Sequence, residues 1–174
     1  NGRDAHANSY SDMFDNAIIN AKARQNFANK LTNPDLASNK PPVLIGADFN
    51  DPFAKMMANG INKDIEQIHK QSQDPHTVKG DKQMSYEIEQ VLDNTIDLSK
   101  HLDKSIQHPN RDKSEDYEVV GAFRDMKSVA DNLLELSSEM AARNYPLEIS
   151  AREAKQTIED YSPSGDFTMR ASNA

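Results

Sequence analysis

The sequence predicts an all-α protein: an antiparallel bundle of four main helices plus a short C-terminal helix, with a long packed loop at about 32–50. Two apolar ladders and the break between them carry that prediction. Met84, Ile88, Val91, Thr95, Leu98, Leu102 and Ser105 recur in steps of four and three, as do Val119, Phe123, Met126, Ala130, Leu133, Ser137 and Met140. This is the period of one helix face. The segment between them contains Pro109, which lacks an N–H and clashes with the preceding turn, so the ladders cannot form one continuous helix. They fold back as a helical hairpin. An antiparallel register places Leu98 beside Met126, Val91 beside Leu133, Leu102 near Phe123 and Thr95 near Ala130.

A first helix is expected over 10–31, with Ser9 or Ser11 as N-cap and Phe14, Ala17, Ile18, Ala21, Gln25 and Ala28 on one face. That narrow, alanine-rich face is expected to pack against the bundle, with Ile19 and Phe27 pointing elsewhere. Lys22, Arg24 and Lys30 follow with no acid between Asp15 and Asp35. They form either a solvated basic face or a complement to the acidic half, within the chain or between copies.

The connection that follows holds three prolines before Asp51 and is long for a compact domain unless it packs or functions. Val43, Leu44 and Ile45 are apolar enough to be buried there as an extended segment. Asp51 then caps a second helix with Pro52 in its first turn, where a missing N–H costs nothing. The expected stripe is Phe53, Met56, Met57, Ile61, Ile65 and Ile68. Gly60 inside it implies either a close neighbour or a bend, since glycine costs about 1 kcal/mol against alanine in a helix.

Pro75 and its neighbours end that helix. The ladder helices follow at about 82–107 and 113–143, the second with Asp112 and Glu115 in capping-box spacing. Asn144-Tyr145-Pro146 is expected to stop it. A short last helix at about 151–161 has Ser150 and Glu153 as another capping box, with Ala151, Ala154, Ile158 and Tyr161 on its apolar side. The whole, 1–174, forms a single domain with extended termini at about 1–8 and 162–174.

Composition narrows the function classes. The absence of cysteine removes thiolate metal sites, thiol catalysis and disulfides, and leaves the redox compartment open. The net charge of −8 lies wholly in the second half: residues 1–80 carry nine basic and nine acidic side chains, residues 81–174 eleven and nineteen. Such a surface argues against nucleic acid as a partner, because affinity for it comes from cations that neutralise phosphates. No apolar run approaches the ~20 residues of a membrane span. The chain begins at Asn1, as a processed product or an excerpt of something longer would.

Chemistry-bearing patterns are sparse. Asp93, Asp97 and His101 stand four residues apart and could offer three metal ligands on one helix face. They lie opposite the ladder, facing water, and remain weak candidates. His76 and His108 adjoin Pro75 and Pro109 at helix ends, where a cation can meet terminal carbonyls. The helix motif of zinc proteases is absent, and Pro52 and Phe53 spoil a calcium loop at Asp48. Glycines are scattered singly, giving no phosphate cradle.

No catalytic residue, cofactor or metal is therefore predicted. The expectation is a non-enzymatic structural or interaction module, a subunit of a larger assembly such as a virion, secretion machine or organelle complex. Its partners would be proteins, a second copy of the chain included, and its candidate contact residues are Val43, Leu44, Ile45, Phe49 and Met57. Two alternatives are a helical domain of a bacterial effector that binds a host protein, and a small metal-dependent enzyme that uses the Asp93, Asp97, His101 face.

Overall fold

The computed structural model of the chain describes residues 2–73 and 78–172, without the side chains of 2–9, 23, 26, 27, 30, 31, 78, 79 and 172. Among them the chain forms six α-helices and no strand: α1 Gly2–Leu31, α2 Pro52–Ser72, α3 Val78–Gln107, α4 Asp116–Ser138, α5 Tyr145–Tyr161 and α6 Gly165–Ser172. Single 3-10 turns occupy Ala37–Asn39 and Lys113–Glu115. The fold is all-α.

Both ladders are buried. Met84, Ile88, Val91, Thr95, Leu98 and Leu102 on α3, Val119, Phe123, Met126, Ala130, Leu133 and Ser137 on α4, and Met140 just past its end are each 6% exposed or less, while Ser105 is half-buried. The hydroxyls in the ladders are satisfied within their own helices, Thr95 donating to the Val91 carbonyl and Ser137 to that of Leu133, both at 2.6 Å. Ser99 Oγ lies 3.4 Å from Met126 Sδ, one residue from the expected pairing of Leu98 with Met126.

The hairpin is not the closest helix pair, however. α4 packs most closely against α5, and α3 against α2 and α5. The reason is that α2 and α5 carry ladders of their own. Ala54, Ala58, Ile61, Ile65, Ile68 and Ser72 are buried on α2, and Leu147, Ala151, Ala154 and Ile158 on α5, all in steps of four and three. At the start of α2 the buried side is therefore alanine, while Phe53 and Met56 of the expected stripe are 47% and 64% exposed. Open space lies around Gly60, so no neighbour requires it.

Several boundaries differ from the sequence expectation. Asn144, expected to end a helix, instead starts α5: its side chain accepts from Leu147 N at 3.1 Å, with Pro146 in the first turn. Ser150 and Glu153 consequently fall inside α5 rather than at its start. α4 ends at Ser138, and the corner before α5 is tied to α3 by Ala142 N donating to Asp81 Oδ2 at 2.8 Å and by Asn144 Nδ2 donating to Ser85 Oγ at 3.2 Å.

The C-terminal segment, expected to be extended, forms α6. Ser164 Oγ accepts from Phe167 N at 3.3 Å, and Phe167 and Ala171 bury themselves on the side of α4. Residues 2–8 are helical within α1. The expected stop at Pro75 and the position of His76 lie outside the described residues, as do the side chains of Phe27 and Ala23.

Residues 37–50 form a strap held by carboxylates. Ala37 N and Ser38 N donate to the two oxygens of Glu139 at 2.9 and 3.1 Å, Gly46 N to Asp125 at 2.9 Å, Asp48 N to Glu118 at 3.1 Å, and Asn50 N to Glu115. The strap thus runs antiparallel along α4. It begins with the Ala37–Asn39 turn, and residues 40–50 carry no helix or strand. Glu115 is consumed in this way and does not close the capping box expected with Asp112, which instead accepts from Ser114 N at 3.0 Å.

Candidate interaction surface

Asp51 caps α2 as expected, accepting from Phe53 N at 3.0 Å, and its other oxygen faces His101 Nε2 at 2.5 Å. The Phe53 ring leans on the imidazole, with centroids 4.5 Å apart. Burial alone would raise the Asp51 carboxyl. The hydrogen bonds from His101 and from the backbone N–H of Phe53, with the nearby His101 charge, outweigh it and hold the carboxyl below its ordinary value of 3.8. His101 is thus drawn toward α2, while Asp93 and Asp97, further back on α3, stay exposed. Among the described residues no group of three His, Asp or Glu side chains is placed to hold a metal ion.

The strap residues lie within the chain's own core. Ile45 and Phe49 are 3% and 2% exposed, and Val43, Leu44 and Met57 are half-buried against the same cluster. Asn62 on α2 fixes the middle of the strap by exchanging two hydrogen bonds of 2.8 Å with the Ile45 backbone. Gln73 donates to the Ser38 carbonyl. These contacts turn the apolar side of 43–49 toward the core.

Two arginine–carboxylate pairs stand at corners of the fold. Glu148 is 2% exposed and meets Arg143 Nε at 3.3 Å, with that guanidinium 4.4 Å over the Tyr145 ring. At the opposite corner Arg111 forks onto Asp116, both bonds 3.1 Å, and lies 5.6 Å over Phe167. Each pair joins side chains five residues apart across a helix start. His69 Nδ1 is buried with no hydrogen-bond partner, and burial pushes this imidazole below its ordinary value of 6.5.

The distinctive surface is α1. Met13, Phe14, Ile18 and Ile19 are 64%, 67%, 39% and 40% exposed, and Tyr10 is 70% exposed. Ala17, Ala21, Gln25 and Ala28 are exposed as well. Phe14, Ala17, Ile18 and Ala21 fall at i, i+3, i+4 and i+7, which is a continuous stripe. The expectation that this face packs on the bundle is corrected: α1 is packed lightly, against α3 and the Ala37–Asn39 turn.

The physical reason lies in competition for the core. Beyond Phe14 and Ile18 the stripe holds only alanines and one glutamine, whereas the ladders of α2 and α5 and the strap already cover α3 and α4. The described charges of α1 are segregated along the helix, with Asp12 and Asp15 before the middle of the stripe, Lys22 and Arg24 after it, and all four exposed. Sequence periodicity located this stripe; its exposure was hidden because the competing ladders contain alanine and serine. No family model, no curated protein and no solved structure matches the chain.

Proposed function

We propose that this chain is a non-enzymatic helical interaction module, a subunit that docks onto another protein of a larger assembly through the apolar face of α1. The observation that carries the reading is the exposed stripe of Phe14, Ala17, Ile18 and Ala21. Helices in water are stabilised mainly by burying an apolar face, and a contiguous exposed one marks a docking surface. The polar clusters support the same reading by default. His101 is engaged with the cap of α2, and the buried Glu148 and the corner residue Asp116 have arginine partners.

The test is site-specific photo-crosslinking. Phe14→benzoylphenylalanine, in the purified chain and in extracts of the cells that express it, is expected to give protein adducts. The same group at Tyr117, 65% exposed on α4, serves as control and is expected to give none. Equal yields from the two positions, or none from position 14, would contradict the reading.

A further inference from the structure

The partner of this face is identified by its charge pattern. The stripe is flanked by Asp15 in its first half and by Lys22 and Arg24 in its second, all exposed, while Asp12 lies on the opposite side of the helix. A parallel pair of such helices would set the Lys22 flank of one beside the Arg24 flank of the other, which is repulsive. An antiparallel pair does the opposite. On a helical wheel Asp15 and Lys22 lie on the same flank of the stripe, about 20° apart at about 100° per residue, and in antiparallel pairing like flanks meet. Each Asp15 then faces the Lys22 of the other helix, twice by symmetry, across a two-fold axis near residue 18.

The shapes agree with the charges. Ala17 and Ala21 let the axes approach to the roughly 8–10 Å typical of packed helices, and Phe14 of one chain fills the space over Ala21 of the other. Opposed macrodipoles add to the preference. Resting on the docking role of α1 given above, we infer that the occupant of this face is a second copy of the chain, joined as an antiparallel α1 pair with isologous two-fold symmetry.

Sedimentation equilibrium of the full chain tests this. A monomer–dimer equilibrium is expected, weakened at least tenfold by Phe14→Asp and by Lys22→Asp, and restored by the double swap Asp15→Lys with Lys22→Asp. Orientation is read from disulfides, since the chain has no cysteine of its own. A mixture of Ser11→Cys and Gln25→Cys chains should form the mixed disulfide faster than either homodisulfide. A monomer at the highest concentration, a dimer indifferent to Phe14→Asp, or a dominant Ser11→Cys homodisulfide would overturn the proposal. A monomer that still gives position-14 adducts with a different protein would overturn the second copy and leave the docking role standing; a monomer with no adducts would remove both.

Discussion

Asn62 holds Ile45 by both edges of its peptide, its Oδ1 accepting from Ile45 N and its Nδ2 donating to Ile45 O, each at 2.8 Å. A single side chain thus does for the strap what a neighbouring strand would do, and it does so from the middle of α2. Asn62→Ala strips partners from two backbone groups of a buried residue. A loss of about 2–4 kcal/mol in urea unfolding is expected. Asn62→Asp keeps the acceptor but turns a carboxylate oxygen toward Ile45 O, so it should be no milder at neutral pH. A change within 0.5 kcal/mol, roughly that of an ordinary surface substitution, would remove Asn62 from this role.

Glu139 is the second anchor, spending one oxygen on each of two consecutive N–H groups. Glu139→Ala is expected to cost about 2 kcal/mol and to speed amide exchange at Ala37 and Ser38. Glu139→Gln should cost about half as much, because an amide oxygen still accepts one bond. Identical exchange in both variants would mean that the carboxylate does not hold the turn.

Gly60 has open space where a Cβ would stand, lies within α2 and has no positive φ. Gly60→Ala should therefore stabilise the chain by about 0.5–1 kcal/mol, through helix propensity and a less free unfolded state. A rise in the denaturation midpoint with an unchanged slope is the expected signature. Destabilisation would place an unseen neighbour against that face.

Two part-buried groups contribute to the pH dependence. His69 is held below 6.5 by burial, so near and below that pH the unfolded chain binds the proton more readily than the folded one. Stability is then greatest above 6.5 and declines as pH falls, until the folded imidazole also protonates. Asp51 is held below 3.8. Its contribution is present above 3.8 and is lost as pH falls through its lowered value. Melting temperatures measured in steps from pH 7.5 to 3 should show both declines, with the upper one absent in His69→Leu and the lower one reduced in Asp51→Asn.

How much of this was legible in the sequence depends on what each signal requires. Leu98 and Met126 announce their helices by size and spacing, and Asp51-Pro52 announces α2 by chemistry. Asn144-Tyr145-Pro146 carries the same kind of signal as Asp51-Pro52, yet Pro146 also ends whatever precedes it, and only the burial of Leu147 decides which role governs. α6 is short and hides because two residues, Phe167 and Ala171, supply its burial. The strap's anchors left a trace that spacing could have shown: Glu118, Asp125 and Glu139 stand at multiples of seven, each one residue before Val119, Met126 and Met140 of the ladder. Such acids ordinarily mark a solvated flank, and nothing local tells that Gly46 and Asp48 bring their N–H groups to them.

Amide hydrogen exchange, followed residue by residue at increasing protein concentration, tests most directly the claim that the strap is part of the folded body while α1 is the surface that takes a partner. The amides of Ala37, Ser38, Ile45, Gly46 and Asp48 are expected to be protected at every concentration. Those between Tyr10 and Ala21 should exchange quickly in dilute solution and become protected as the chain is concentrated. Fast exchange in the strap, or α1 amides whose exchange ignores concentration, would contradict the account.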